Sequence, residues 1–252
     1  ASPYSTALGS GALGATPTGT YNVAIGRNAG GVITTGSHNI ALGQNSMGAS
    51  AAVTGSDNIA LGKNALSSLT TAIRNIAIGM QAAEYATTAF GNVIMGTLAC
   101  GSTLTGAENV VLGYYSANAL TSGRDNVYIG SSSGSQSTTP DDNVFVGAHA
   151  GTWNTTGHSN TFIGYRAAAD DETTAAGTNV TTGSNLTNLG FRARASSSTA
   201  TNQVTLGNSS IATLRCQVTS ITALSDARDK TNVAPLHAGL DFVERLAPVS
   251  FD

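Results

Sequence analysis

A glycine returns along this chain at nearly constant intervals. Gly9, Gly26, Gly43, Gly62, Gly79, Gly96, Gly113, Gly130, Gly147, Gly164, Gly190 and Gly207 each close a short, mostly apolar stretch, as in Asn39-Ile40-Ala41-Leu42-Gly43 and Asn58-Ile59-Ala60-Leu61-Gly62. The step is 17 residues, except for 19 between Gly43 and Gly62 and 26 between Gly164 and Gly190. A period this short excludes paired-helix repeats, and inside each unit the apolar residues alternate with a period of two, the spacing of a strand. Each unit therefore reads as one coil of an all-β fold, a parallel β-solenoid or β-roll. Coils stack ~4.8 Å apart, so about twelve of them form a rod on the order of 55 Å long.

The columns of the repeat carry the next inferences. The residues one and three before the glycine are large and aliphatic (Ile25, Leu42, Leu61 and Val23, Ile40, Ile59 among them) and are expected to share a face and fill the coil interior. Four before the glycine stands asparagine in nine consecutive units: Asn22, Asn39, Asn58, Asn75, Asn92, Asn109, Asn126, Asn143 and Asn160. Stacked amides can hydrogen-bond along the axis, so this column reads as a structural ladder. The column two before the glycine points to the other face and includes Ala24, Ala41, Ala60, Ala77, Tyr128, Phe145 and Phe162. A solvent-facing column should be polar; an apolar one implies a strand covered on both faces. The expectation is a homotrimer that buries this column between copies. The alternative is an exposed aromatic stripe that binds sugar rings.

Composition limits the function. Only 10% of the 252 residues are charged and 6% aromatic, while large aliphatics recur on a regular beat, which argues against disorder. A formal charge of −3 gives no reason to expect nucleic acid as a partner. No apolar run reaches the ~18 residues of a membrane span, and no glycine pattern matches a phosphate-binding loop, so neither membrane insertion nor a cofactor is expected. Cys100 and Cys216 form no CxxC-type pair and read as idle thiols. The chain opens on Ala1 with the repeat running by Ser5, which reads as a fragment or a processed product.

Candidate interaction residues are few. Glu108, Asp125 and Asp142 occupy one column, immediately before the asparagine, in consecutive units. Stacked within roughly 5–6 Å, such carboxylates could contact a glycan or a cation, or simply form a solvated turn. The extra residues between Gly164 and Gly190 include Asp170, Asp171 and Glu172, a candidate recognition loop. His149 and His158 could line the axis of a trimer, but their spacing demands no metal, and no metal site is assigned.

The repeat units resemble the β-roll heads of trimeric autotransporter adhesins over roughly residues 5–207, although those heads usually run a shorter unit. From Asn208 the beat stops. The segment Ser225-Asp226-Ala227-Arg228-Asp229-Lys230-Thr231-Asn232, followed by Leu236-His237-Ala238-Gly239-Leu240-Asp241-Phe242-Val243, is charged, then helical in its apolar spacing, with Pro248 just past the helix end. This wording resembles the opening of the intramolecular chaperone domain of phage tailspikes and tail fibres. The expected organisation is a repetitive shaft or head over 1–207, a neck over 208–224 and the start of a small α+β chaperone domain over 225–252. The resemblance implies a homotrimeric virion tail protein that is extracellular and attaches to a host glycan or protein receptor alongside other tail proteins. In it the chaperone assists assembly and cuts itself off, with Ser225 as nucleophile and Lys230 as base. A trimeric cell-surface adhesin and a polysaccharide-degrading tailspike are the alternatives; activity on an external substrate is not expected.

Overall fold

The computed structural model describes residues 4–48, 52–169 and 179–215. The chain divides into two compact units, residues 1–211 and 212–252. The first is described nearly throughout. The second lies almost wholly outside the described residues, and with it the helix expected near Leu240.

The first unit is all-β, with no helix among the described residues. Ten strands are three residues long: β1 (Thr6–Leu8), β2 (Val23–Ile25), β3 (Ile40–Leu42), β4 (Ile59–Leu61), β5 (Ile76–Ile78), β6 (Val93–Met95), β7 (Val110–Leu112), β8 (Val127–Ile129), β9 (Val144–Val146) and β10 (Thr161–Ile163). Two longer strands, β11 (Ser184–Leu189) and β12 (Thr201–Leu206), complete the unit. All twelve lie in one sheet in strict chain order, and each pair is parallel. This is a parallel β-solenoid of about 11 turns.

Register follows the repeat. Ile40, Ala41 and Leu42 face Ile59, Ala60 and Leu61. The 26-residue step keeps it too, with Phe162 opposite Asn188 and Ile163 opposite Leu189. The glycine after each strand is required by stacking: Gly43 has φ +120, and a Cβ on it would stand 2.7 Å from the carbonyl oxygen of Gly62 in the next coil. At the other strand end, the residue before the asparagine is left-handed in coil after coil, as at Tyr21 (φ 60) and Asp125 (φ 58). These two bends cut the strand to three residues.

The interior corrects the sequence expectation. Asparagine and the residue two before the glycine lie on the same side of the strand, and that side is the inside of the coil. Ala24, Ala41, Ala60, Ala77, Tyr128, Phe145 and Phe162 are all fully buried within one chain, so they are core residues and not an interface between chains. The same finding removes the alternative of a sugar-binding aromatic stripe on this column. The aliphatic columns one and three before the glycine point outward. A coil of 17 residues is narrow, and the wall opposite the strand already supplies Met47, Leu66, Leu69, Cys100, Leu104 and Leu120, each fully buried. Alanine on the strand leaves room for them. Beside two of the three large rings the opposite wall shrinks to glycine: Gly134 faces Tyr128, and Gly151 faces Phe145. The three inner rings then stack along the axis, with centroids 5.2 Å apart for Tyr128–Phe145 and 4.6 Å for Phe145–Phe162. Each large side chain buried this way stabilises the coil by roughly 1.5–3 kcal/mol.

Candidate functional site

Nine asparagines form a continuous internal spine. The backbone N–H of Asn109 donates to Asn92 Oδ1 at 2.9 Å, and Asn109 Nδ2 reaches the same oxygen at 2.9 Å. Asn92 Nδ2 in turn lies near three acceptors, Asn75 Oδ1 (3.0 Å), the Phe90 carbonyl (3.1 Å) and the Gly106 carbonyl of the following coil (3.0 Å). The arrangement starts at Ser5, whose hydroxyl accepts the Asn22 N–H. It ends at Leu186, whose N–H donates to Asn160 Oδ1. All nine are buried, so these amides satisfy the bends before each strand and are closed to any ligand.

A second ladder closes the far side. Thr70 Oγ1 donates to the Thr87 carbonyl at 2.8 Å, Thr121 to Thr138 at 2.9 Å and Thr138 to Thr155 at 3.0 Å. Sequence reasoning passed over these threonines, although the recurring Thr-Thr, Thr-Ser or Thr-Gly ahead of each asparagine was the visible signal.

Glu108, Asp125 and Asp142 are exposed, each on a left-handed residue that turns its side chain out from the coil (φ 58 to 59). Among the described residues no group of three His, Cys, Asp or Glu side chains comes together to hold a metal ion, so the cation reading of this column is not supported by its geometry. Further toward the N-terminal end the same column is aromatic. Tyr4, Tyr21 and His38 stack with centroids 5.2 and 5.1 Å apart, and His38 Nδ1 lies 3.9 Å from Asp57 Oδ1. At the opposite strand end the column after the glycine brings Tyr165 against Phe191 at 5.7 Å, with Arg166 and Arg192 lying over their rings.

Cys100 is a buried free thiol, and burial pushes both it and the Tyr128 phenol far above their ordinary values of 9.0 and 10.0. Neither is poised for chemistry. No helix among the described residues is long and apolar enough to cross a membrane. Ser225, Lys230, Cys216, Asp170, Asp171 and Glu172 lie outside the described residues.

Residues 225–252 match the model of a family described as chaperone of endosialidase, named as a peptidase family. The match covers the segment that carries Ser225 and Lys230 and none of the solenoid. No curated protein matches the chain. No solved structure matches it either. The solenoid and the matched segment together fit a phage tail fibre with an intramolecular chaperone, and the matched family implies a self-cleaving chaperone activity.

Proposed function

We propose that this chain is the shaft of a phage tail fibre or tailspike that works as a homotrimer in the virion, holds a host-binding surface away from the particle and meets other tail proteins. Its C-terminal segment would begin a chaperone that assists trimer assembly and then releases itself. The observation that carries this reading is the chaperone-of-endosialidase match C-terminal to a long parallel solenoid.

The chemistry assigned to Ser225 and Lys230 is a single-turnover acyl transfer. A neutral Lys230 amine takes the proton of the Ser225 hydroxyl, and the oxygen attacks the carbonyl carbon of the adjoining peptide bond. The ammonium returns that proton to the leaving amine, and water hydrolyses the ester. A lysine does this near neutral pH only if burial lowers its pKa. The polysaccharide-degrading alternative requires two carboxylates on either side of a glycosidic bond. Glu108, Asp125 and Asp142 share one exposed column instead, an arrangement that suits contact with a glycan better than hydrolysis.

The test is the intact mass of the full-length expressed protein. Cleavage at a bond adjoining Ser225, abolished in Ser225→Ala and in Lys230→Ala, is the expected result. A full-length product from the unaltered sequence, or unchanged cleavage in Ser225→Ala, contradicts it.

A further inference from the structure

The outward face of the strands is aliphatic over most of the solenoid, with Thr6, Thr161 and Thr187 as its polar members. Ile25, Ile40, Leu61, Met95, Ile129 and Ile163 each keep between 36% and 44% of their surface in water. No charged residue occupies either outward column of β1 to β12. The far side of the coil, by contrast, presents threonine after threonine to water. An aliphatic stripe of this length is not the surface of a free solenoid.

Charge is arranged around the stripe. At the strand starts, the column before the asparagine carries Asp57, Glu108, Asp125 and Asp142 against a single arginine, Arg74. Arg124 and Asp141, one residue further out, offset each other. At the strand ends, the two columns after the glycine carry Arg27, Lys63, Arg166 and Arg192, and no carboxylate. The stripe thus has an acidic margin and a basic one.

We propose that the stripe formed by the residues one and three before each glycine is the surface on which copies of this chain pack, parallel and in register. This rests on the homotrimer reading above and assigns its interface to a new face. Three observations select a second copy as the occupant. The stripe repeats every coil, so its ridges match a partner with the same ~4.8 Å spacing over the same length. Parallel copies in register around a shared axis set Asp57 of one beside Lys63 of the next and bring no like charges together, whereas antiparallel copies oppose the two acidic margins. The flat strand face spans three residues by twelve coils, roughly 10 Å by 53 Å, and the charged margins at both strand ends widen the contact toward the ~800 Å² per partner of a standard stable interface.

The methionines report on this directly. Met95 lies in the stripe and is 40% exposed in the single chain, while Met47 is buried inside the coil. Mild peroxide treatment of the native protein, read by peptide mass, should oxidise Met95 at least tenfold more slowly than in the urea-unfolded chain, close to the rate of Met47. In parallel, Met95→Lys should lower the sedimenting mass, while Thr71→Lys on the polar side should not. A protein that sediments as an oligomer yet oxidises Met95 freely overturns the interface and leaves the homotrimer standing; a protein that sediments as a single chain overturns both. The footprint on the unaltered protein decides the matter even if Met95→Lys fails to fold.

Discussion

Gly134 lies flat against the ring of Tyr128: a Cβ at Gly134 would stand 2.5 Å from Tyr128 Cε1. Three coils or more toward the other end, the pair at the same positions is Met47 with Ala41 and Leu66 with Ala60, all fully buried. In these coils the interior volume is divided differently between the strand and the wall six residues on, whereas Ala24 with Gly30 and Ala77 with Ala83 are small at both positions. Met47 adopts φ 47 and Gly134 φ 56, so the backbone is the same and only the side chains trade places.

This exchange is testable. Gly134→Met alone overpacks the coil and should cost roughly 1–3 kcal/mol or more. Tyr128→Ala alone opens a cavity and should cost roughly 3–5 kcal/mol. The double variant recreates the Ala41–Met47 pair and should recover most of both losses, with a strongly favourable coupling in a double-mutant cycle followed by chemical unfolding. Additive losses would contradict the pairing.

The asparagine spine predicts unequal losses along its length. Asn92→Ala strands the Asn109 N–H and removes a donor from the Phe90 and Gly106 carbonyls. Asn22, at the start, donates to the Gly36 carbonyl and accepts from Asn39, with fewer partners in all. Each buried group left unpaired costs about 1–3 kcal/mol. Asn92→Ala should therefore lower the unfolding midpoint clearly more than Asn22→Ala, as read by thermal melts.

The solenoid was legible in the glycine interval, and so were the parallel register and the asparagine spine. The inside of the coil was not. The sequence expectation placed the larger aliphatics Ile40 and Leu42 inside and Ala41 outside, because size usually tracks burial. In a coil this narrow the opposite wall fills the space, and alanine is what fits beside Met47. Part of the signal was present within the chain: Ala41 and Ala60 are followed six residues later by Met47 and Leu66, and Tyr128 and Phe145 by Gly134 and Gly151, but Ala24, Ala77 and Phe162 do not follow the pattern. The carboxylate column was placed correctly as exposed, but its left-handed backbone has no mark in the residue types.

Asn188 continues the inner column where Phe162 leaves it, fully buried, with neither amide atom hydrogen-bonded. Replacing it with leucine, which has the same branched heavy-atom skeleton, removes an unsatisfied polar group and should stabilise the last coils by about 1–3 kcal/mol. A raised unfolding midpoint for Asn188→Leu is expected; a lowered one would show that the amide has a partner in solution.

Alkaline pH should weaken the fold through the core. Burial raises the folded-state pKa of Cys100 and Tyr128 above their unfolded values of 9.0 and 10.0, which favours the neutral forms. The sign follows from linkage: the stabilisation is complete below pH ~9 and is lost as pH rises beyond it, because only the unfolded chain releases the protons readily. Unfolding free energy measured from pH 8 to 11 should fall above pH 9, and Cys100→Ala with Tyr128→Phe should flatten the part of the slope due to these groups.

The aliphatic stripe of a single chain is half in water, and the whole account depends on other copies covering it. Sedimentation equilibrium of the protein at micromolar concentration measures this most directly. The predicted result is one species at three times the mass of the 25.2 kDa chain, or of its cleaved product. A folded, soluble species at the mass of one chain would contradict it.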